Sequence, residues 1–147
     1  MKKYLVPLIV GIVMIGSASV SSAGSGVRNM LVILTSADRE TQAMAMILSL
    51  QTMKSGVPVH LMLCGSAGDL ALKKVPEDAK RVITPKGMSV LDLLGILKKK
   101  GVKLDVCKIF LPNRNLDATA LVEGIGVATP KYISSQMTAE DTRLVTF

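Results

Sequence analysis

Aromatic residues are scarce: the 147-residue chain has no Trp, two Tyr and two Phe. Single-stranded nucleic acid needs rings to stack on, so no nucleic-acid partner is expected, although the net charge is +7. Histidine occurs once, at His60, and no G-x-S-x-G turn accompanies it, which leaves a Ser/His/Asp triad without support. The two cysteines, Cys64 and Cys107, form no C-x-x-C pair for zinc, and both a P-loop and a G-x-G-x-x-G turn are missing. No cofactor is expected. Whatever chemistry the chain performs rests on few side chains.

A long apolar run occurs once, over residues 4–15, behind Lys2 and Lys3 and ahead of Ser21-Ser22-Ala23. Basic start, apolar centre and small-residue exit make residues 1–23 a secretory signal peptide, to be excluded from fold reasoning. A retained anchor is the competing reading. Ser17, Ser19, Ser21 and Ser22 make its second half polar, and a spanning helix wants about 20 mostly apolar residues, so cleavage is favoured. The exported protein is then periplasmic or secreted and not membrane-bound. Residues 24–29 begin with Gly24-Ser25-Gly26 and form a flexible N-terminus, and residues 30–147 form a single domain large enough for a real core. Losing Lys2 and Lys3 lowers the net charge from +7 to +5, with the excess concentrated in residues 73–108. Lysines on solvated helix faces account for it.

Residues 30–34 read as a strand buried on both faces. From Asp38 the period changes: Ala43, Ile47 and Leu50, with Met44 and Leu48, recur at helical spacing, and Gly56 and Pro58 stop the helix. Residues 59–64 read as a second buried strand, residues 65–68 as a turn, residues 69–74 as a short helical piece and residues 80–84 as a brief strand. Ser89 with Asp92 has the spacing of a capping box for a helix that ends in Lys98, Lys99, Lys100 and Gly101. Residues 102–107 follow as a strand, residues 112–115 as a loop, residues 117–123 as a helix capped by Asp117, and residues 143–147 as the last strand. Continuously apolar strands alternating with helices predict a three-layer α/β/α sandwich around a mainly parallel sheet.

In such a sheet ligands gather at the carboxyl ends of the strands, where both cysteines fall. Cys64 follows Leu61-Met62-Leu63 and has the setting of a small apolar filler. Cys107 has Lys103, Lys108 and Arg114 near it in sequence, and positive charge favours the nucleophilic thiolate. Export to an oxidising compartment raises the question of a disulfide. Adjacent strands lie about 4.8 Å apart and permit a bridge, whereas one intervening strand sets them about 9.6 Å apart, beyond reach. With residues 80–84 as that spacer, free thiols are expected. A weaker alternative is copper: His60, Met62 and Cys64 alternate onto one strand face, and their imidazole and sulfur groups suit Cu(I).

The order of these features resembles the DsrE-like sulfur-relay family. The resemblance is carried by Leu31-Val32-Ile33-Leu34-Thr35, by Thr41-Gln42-Ala43, by Gly101-Val102-Lys103-Leu104-Asp105-Val106-Cys107 with Arg114 after it, and by Arg143-Leu144-Val145-Thr146-Phe147. It implies about five parallel strands, assembly into homotrimers or hexamers, and a cysteine that takes sulfane sulfur as a persulfide and passes it on. That cysteine maps onto Cys107, with Lys108 and Arg114 placed to bind a sulfur donor, Cys64 as a secondary thiol, and a protein or small anionic sulfur compound as donor and acceptor. Relay proteins of this family are mostly cytoplasmic and carry small residues after the cysteine. Here the chain has a leader and Lys108-Ile109-Phe110-Leu111. A non-catalytic binding or assembly subunit of the same fold is therefore the alternative. Cys107 sealed under Phe110 and Leu111 would favour assembly; an open pocket faced by Arg114 would favour transfer.

Overall fold

The computed structural model describes residues 26–83 and 85–147, so the expected signal peptide lies outside the described residues. Five strands, β1 (Asn29–Leu34), β2 (Val59–Leu63), β3 (Lys103–Cys107), β4 (Gly126–Ala128) and β5 (Thr142–Thr146), pair in the order β4-β3-β2-β1-β5. Every pairing is parallel. The helices are α1 (Arg39–Lys54), α2 (Val90–Lys99) and α3 (Pro130–Met137). The three-layer parallel architecture is as expected.

The helices begin and end where local chemistry dictates. The Asp38 carboxylate accepts from the Thr41 amide at 2.7 Å and caps α1. Ser89 and Asp92 form the full capping box of α2, and Lys98 and Lys99 lie in its last turn, at the negative end of the helix dipole. Gly56 and Gly101, at φ +84° and +77°, supply the left-handed residues after α1 and α2. Along α1, Ala43 and Met46 are buried while Met44 and Leu48 face outward, so the inward stripe is narrower than the apolar spacing suggests.

Connectivity decides which face each helix covers. From β1 to β4 the chain advances stepwise across the sheet, then returns over its full width to β5 at the far edge. Right-handed crossovers place advancing connections on one face and the returning one on the other. Accordingly Val32, Leu34, Leu61, Leu63, Leu104 and Val106 pack with Met46, Leu93 and Leu97, forming the main core beneath α1 and α2. The opposite face holds a small cluster, Leu31, Met62, Ala128 and Ile133, under α3. At 8 residues, α3 leaves much of that face thinly covered.

Two sequence expectations are corrected. The strand expected at residues 80–84 is not formed by its described part: Lys80 ends a 3-10 turn (Glu77–Lys80), Arg81–Ile83 pair with no strand, and Thr84 lies outside the described residues. The stretch offers only Val82 and Ile83 as apolar residues, and Val82 is exposed, so it has no face to bury in a sheet. Residues 117–123 make one 3-10 turn, Ala118–Ala120, capped by Asp117 as expected; beyond it Leu121 is drawn into an isolated antiparallel bridge with Leu72. Two elements that the sequence reading did not anticipate are β4 and α3. Thr129-Pro130 was the available signal, a capping residue before a proline at the first helical position.

Candidate functional site

With no strand from residues 80–84, β2 and β3 are direct neighbours. Their register runs from His60 opposite Lys103 to Leu63 opposite Val106, and the next step sets Cys64 beside Cys107. Alternation puts Met62 and Cys64, like Asp105 and Cys107, on the thinly covered face. Both cysteines are half-buried free thiols. The premise that a spacer strand separates them is wrong, although the thiols are unbridged.

Cys107 also stands where the topology opens a crevice. The connection after β3 packs into the main core through Phe110, Leu111 and Leu121, whereas the connection after β4 is α3, on the opposite face. Neighbouring strands whose connections diverge leave a cleft at their carboxyl ends. Here Cys107 pairs with Ala128 across that divide. A cavity of about 350 Å³ opens there, lined by Met62, Cys107, Lys108, Ala128, Ile133 and Met137, among others. Its wall is apolar apart from the thiol, Lys108 and Ser134. A second cleft of about 360 Å³, between α1 and α2, contains no cysteine or histidine.

The two thiols differ in character. Burial, followed by the hydrogen bond to the Cys107 side chain, pushes the Cys64 thiol up to about 12 from an ordinary 9.0. Cys64 is therefore a neutral thiol at physiological pH, joined by a hydrogen bond to Cys107. Because its folded pKa is raised, the stabilisation tied to the protonated thiol is complete below about 9 and is lost as pH rises toward 12. Wild-type melting temperature should thus fall more steeply between those pH values than that of Cys64→Ala, measured by circular dichroism. Parallel curves would show that Cys64 ionises freely.

Phe110 and Leu111 do not seal Cys107; both are buried in the core on the other side of the sheet. Arg114 also turns away from the cavity. Its Nε donates to Asp69 at 2.9 Å, its Nη2 donates to the Gly65 carbonyl at 3.1 Å, and its guanidinium lies 4.1 Å over the Phe110 ring. These contacts clamp the segment after β3 onto the 3-10 helix after β2 (Gly65–Ala71), fixing the exits of both cysteine-bearing strands. Gly68 lets the Phe110 ring approach, since a Cβ there would overlap three ring atoms. Gly68→Ala should cost about 1–3 kcal/mol through overpacking, read by urea unfolding.

His60, Met62 and Cys64 share a face, as their spacing requires, but do not converge. Strand rise sets His60 about 13 Å from Cys64 along β2. Both His60 ring nitrogens are engaged, Nε2 with Asp105 at 2.8 Å and Nδ1 with Gln136 at 2.7 Å. Among the described residues no group of three or more His, Cys, Asp or Glu could hold a metal ion, and no helix is long and apolar enough to cross a membrane. Sequence reasoning missed the polar cluster around His60: Lys103 lies 3.9 Å from Asp105 and 3.8 Å over the Tyr132 ring. Only pairing of β2 with β3 and return of α3 across them brings these residues together.

Among the described residues, an open five-stranded parallel sheet, two helices on one face and a single returning helix on the other, with a thiol at the divide, define a three-layer α/β domain. Among solved structures, the chain is similar to MTH1491 from Methanobacterium thermoautotrophicum, a protein of unknown function, with a TM-score of 0.60 and 14% identity over 81% of this chain and 98% of that one. It is likewise similar to the ychN protein of E. coli, with a TM-score of 0.59 and 20% identity over 82% of this chain and 99% of that one. At such identities the likeness establishes the fold alone. No protein-family model and no curated protein matches the sequence.

Proposed function

We propose that this protein is an exported sulfur carrier in which Cys107 accepts sulfane sulfur as a persulfide and hands it to an acceptor. The observation that carries this reading is the half-buried Cys107 thiol at the mouth of an apolar cleft, at the carboxyl end of β3, with the Lys108 side chain on its rim. The Cys107 thiolate attacks the outer sulfur of a donor persulfide; the donor's S–S bond breaks, and its inner sulfur leaves as a thiolate. The apolar wall limits water at the loaded sulfur, and Lys108 attracts an anionic donor. Assembly into homotrimers or hexamers and residence outside the cytoplasm belong to the same proposal.

Incubating reduced protein with inorganic polysulfide and weighing it intact should show one added sulfur, located on the Cys107 peptide. Protein that gains none, or gains it elsewhere, rules the reading out. N-terminal sequencing of protein from the producing cell should begin at Gly24; a chain beginning at Met1 would show that the leader is not removed.

A second reading, an assembly subunit without the chemistry, is favoured by two observations. Arg114 is spent on Asp69, and apolar side chains lie bare on or beside the α3 face: Ile109 is 65% exposed, Met137 49% and Tyr132 38%. Contiguous exposed apolar surface commonly marks contact with another protein. Sedimentation of Ile109→Glu and Met137→Glu separates the readings. Loss of assembly with sulfur uptake intact leaves the carrier role standing, and assembly without uptake leaves only the second reading.

A further inference from the structure

Cys64 has no role in simple sulfur carriage, yet the fold sets it next to Cys107. Three features hold the pair together. The β2–β3 register continues directly from Leu63 opposite Val106 to Cys64 beside Cys107, both on the face away from α1 and α2. Neighbouring strands lie about 4.8 Å apart, inside the span of about 4.4–6.8 Å that a disulfide bridges between Cα atoms. Immediately beyond the two cysteines, the Arg114–Asp69 pair and the Phe110–Gly68 contact lock the exiting segments to each other. Two thiols so placed can close on one another without moving the backbone far.

We propose that Cys64 is the resolving thiol for Cys107: it attacks the inner sulfur of a Cys107 persulfide, expels hydrosulfide and leaves a Cys64–Cys107 disulfide. This rests on the carrier role argued above and adds a second outcome for the loaded sulfur. The new bond joins the two cysteine sulfurs. The bond between the Cys107 sulfur and the terminal sulfur breaks, its electron pair departs with the terminal sulfur, and the Cys64 proton ends on that sulfur as HS⁻. The sulfane sulfur is reduced to sulfide while the cysteine pair is oxidised to the disulfide. A dithiol reductant returns both cysteines to thiols by exchange and is itself oxidised to a disulfide.

The same geometry sets the pace. Burial pushes the Cys64 thiol up to about 12, so it is protonated at neutral pH. Attack requires the thiolate, so unloading should be slow at neutral pH and should quicken as pH rises while the fold holds. The resolving step is thereby a slow discharge rather than a competitor to transfer.

The test loads wild type and Cys64→Ser with inorganic polysulfide, removes the excess, and follows hydrosulfide release and intact mass with time at two pH values. Wild type should release hydrosulfide at least about tenfold faster than Cys64→Ser, faster still at the higher pH, and finish two hydrogens lighter than the reduced protein, while Cys64→Ser stays loaded. Cys64→Ala serves the same comparison if the serine variant folds poorly. Equal release from wild type and variant overturns the inference and leaves the carrier role intact. If neither protein loads, both fail. Diamide oxidation of unloaded wild type should give the intramolecular bridge on non-reducing peptide mapping, and cross-links found only between molecules would overturn the pairing regardless of sulfur loading.

Discussion

Cys107→Ser is expected to drop sulfur uptake from polysulfide by more than about a hundredfold, to the background of unfolded or blocked protein, while Cys64→Ser still loads. Serine keeps the size and the hydrogen-bonding capacity of the side chain but loses the soft, ionisable sulfur that makes and breaks S–S bonds. Cys64 cannot substitute, because burial holds its proton to about 12. Lys108 contributes only through its charge. It is exposed, so Lys108→Glu should slow loading by an anionic polysulfide about two- to fivefold, with the difference shrinking as salt rises. Stopped-flow consumption of polysulfide together with intact mass provides both readouts. Uptake by Cys107→Ser equal to wild type would remove Cys107 from the chemistry and leave the fold as the only inheritance.

How much of this was legible in the sequence depended on the range over which each signal acts. Strand β1, helix α1, strand β2 and helix α2 were readable because each carries its own period and its own stop: Asp38, Gly56, Ser89 with Asp92, and Gly101 act within a turn of where they stand. Strand β4 is 3 residues long, too short for any period, and exists because β3 offers it an edge. The strand misread at residues 80–84 had the opposite defect, two apolar residues with no partner edge in the finished sheet. That single error propagated to the site, since it separated Cys64 from Cys107, whereas strand order sets them side by side. Cys107 itself was legible from its place at a strand end. The destination of Arg114 was not, because Asp69 and Gly65 lie far away in sequence and meet it only when the two strand exits are packed together.

Asp105→Ala should produce the largest loss of stability among single changes on the α3 face, about 3 kcal/mol by urea unfolding. That figure lies at the top of the range for a hydrogen bond to a charged group and the bottom of the range for breaking a buried ion pair. The side chain is 7% exposed and its carboxylate meets His60 Nε2 at 2.8 Å, with Lys103 at 3.9 Å. Removing it leaves a buried imidazole, itself 5% exposed, without its acceptor and a lysine ammonium without its counter-charge. Strand β4 is fitted to the carboxylate too: a Cβ at Gly126 would overlap Asp105 Oδ1, so Gly126→Ala should disturb the same cluster from the other side. The consequence reaches the cavity. Apolar packing holds α3 through Ile133 alone among its buried residues, and two polar contacts tie that helix to the sheet: His60 with Gln136 at 2.7 Å, and Lys103 over the Tyr132 ring at 3.8 Å. Once Asp105 is gone, His60 no longer has a fixed orientation, and amides in residues 130–137 should exchange faster than those of α1 and α2, with the Cys107 cavity losing one wall. A cost below about 1 kcal/mol, or unchanged exchange in α3, would mean that Ile133 and the crossover backbone suffice to hold the helix, and that the His60–Asp105–Gln136 chain is decoration on a wall that stands without it.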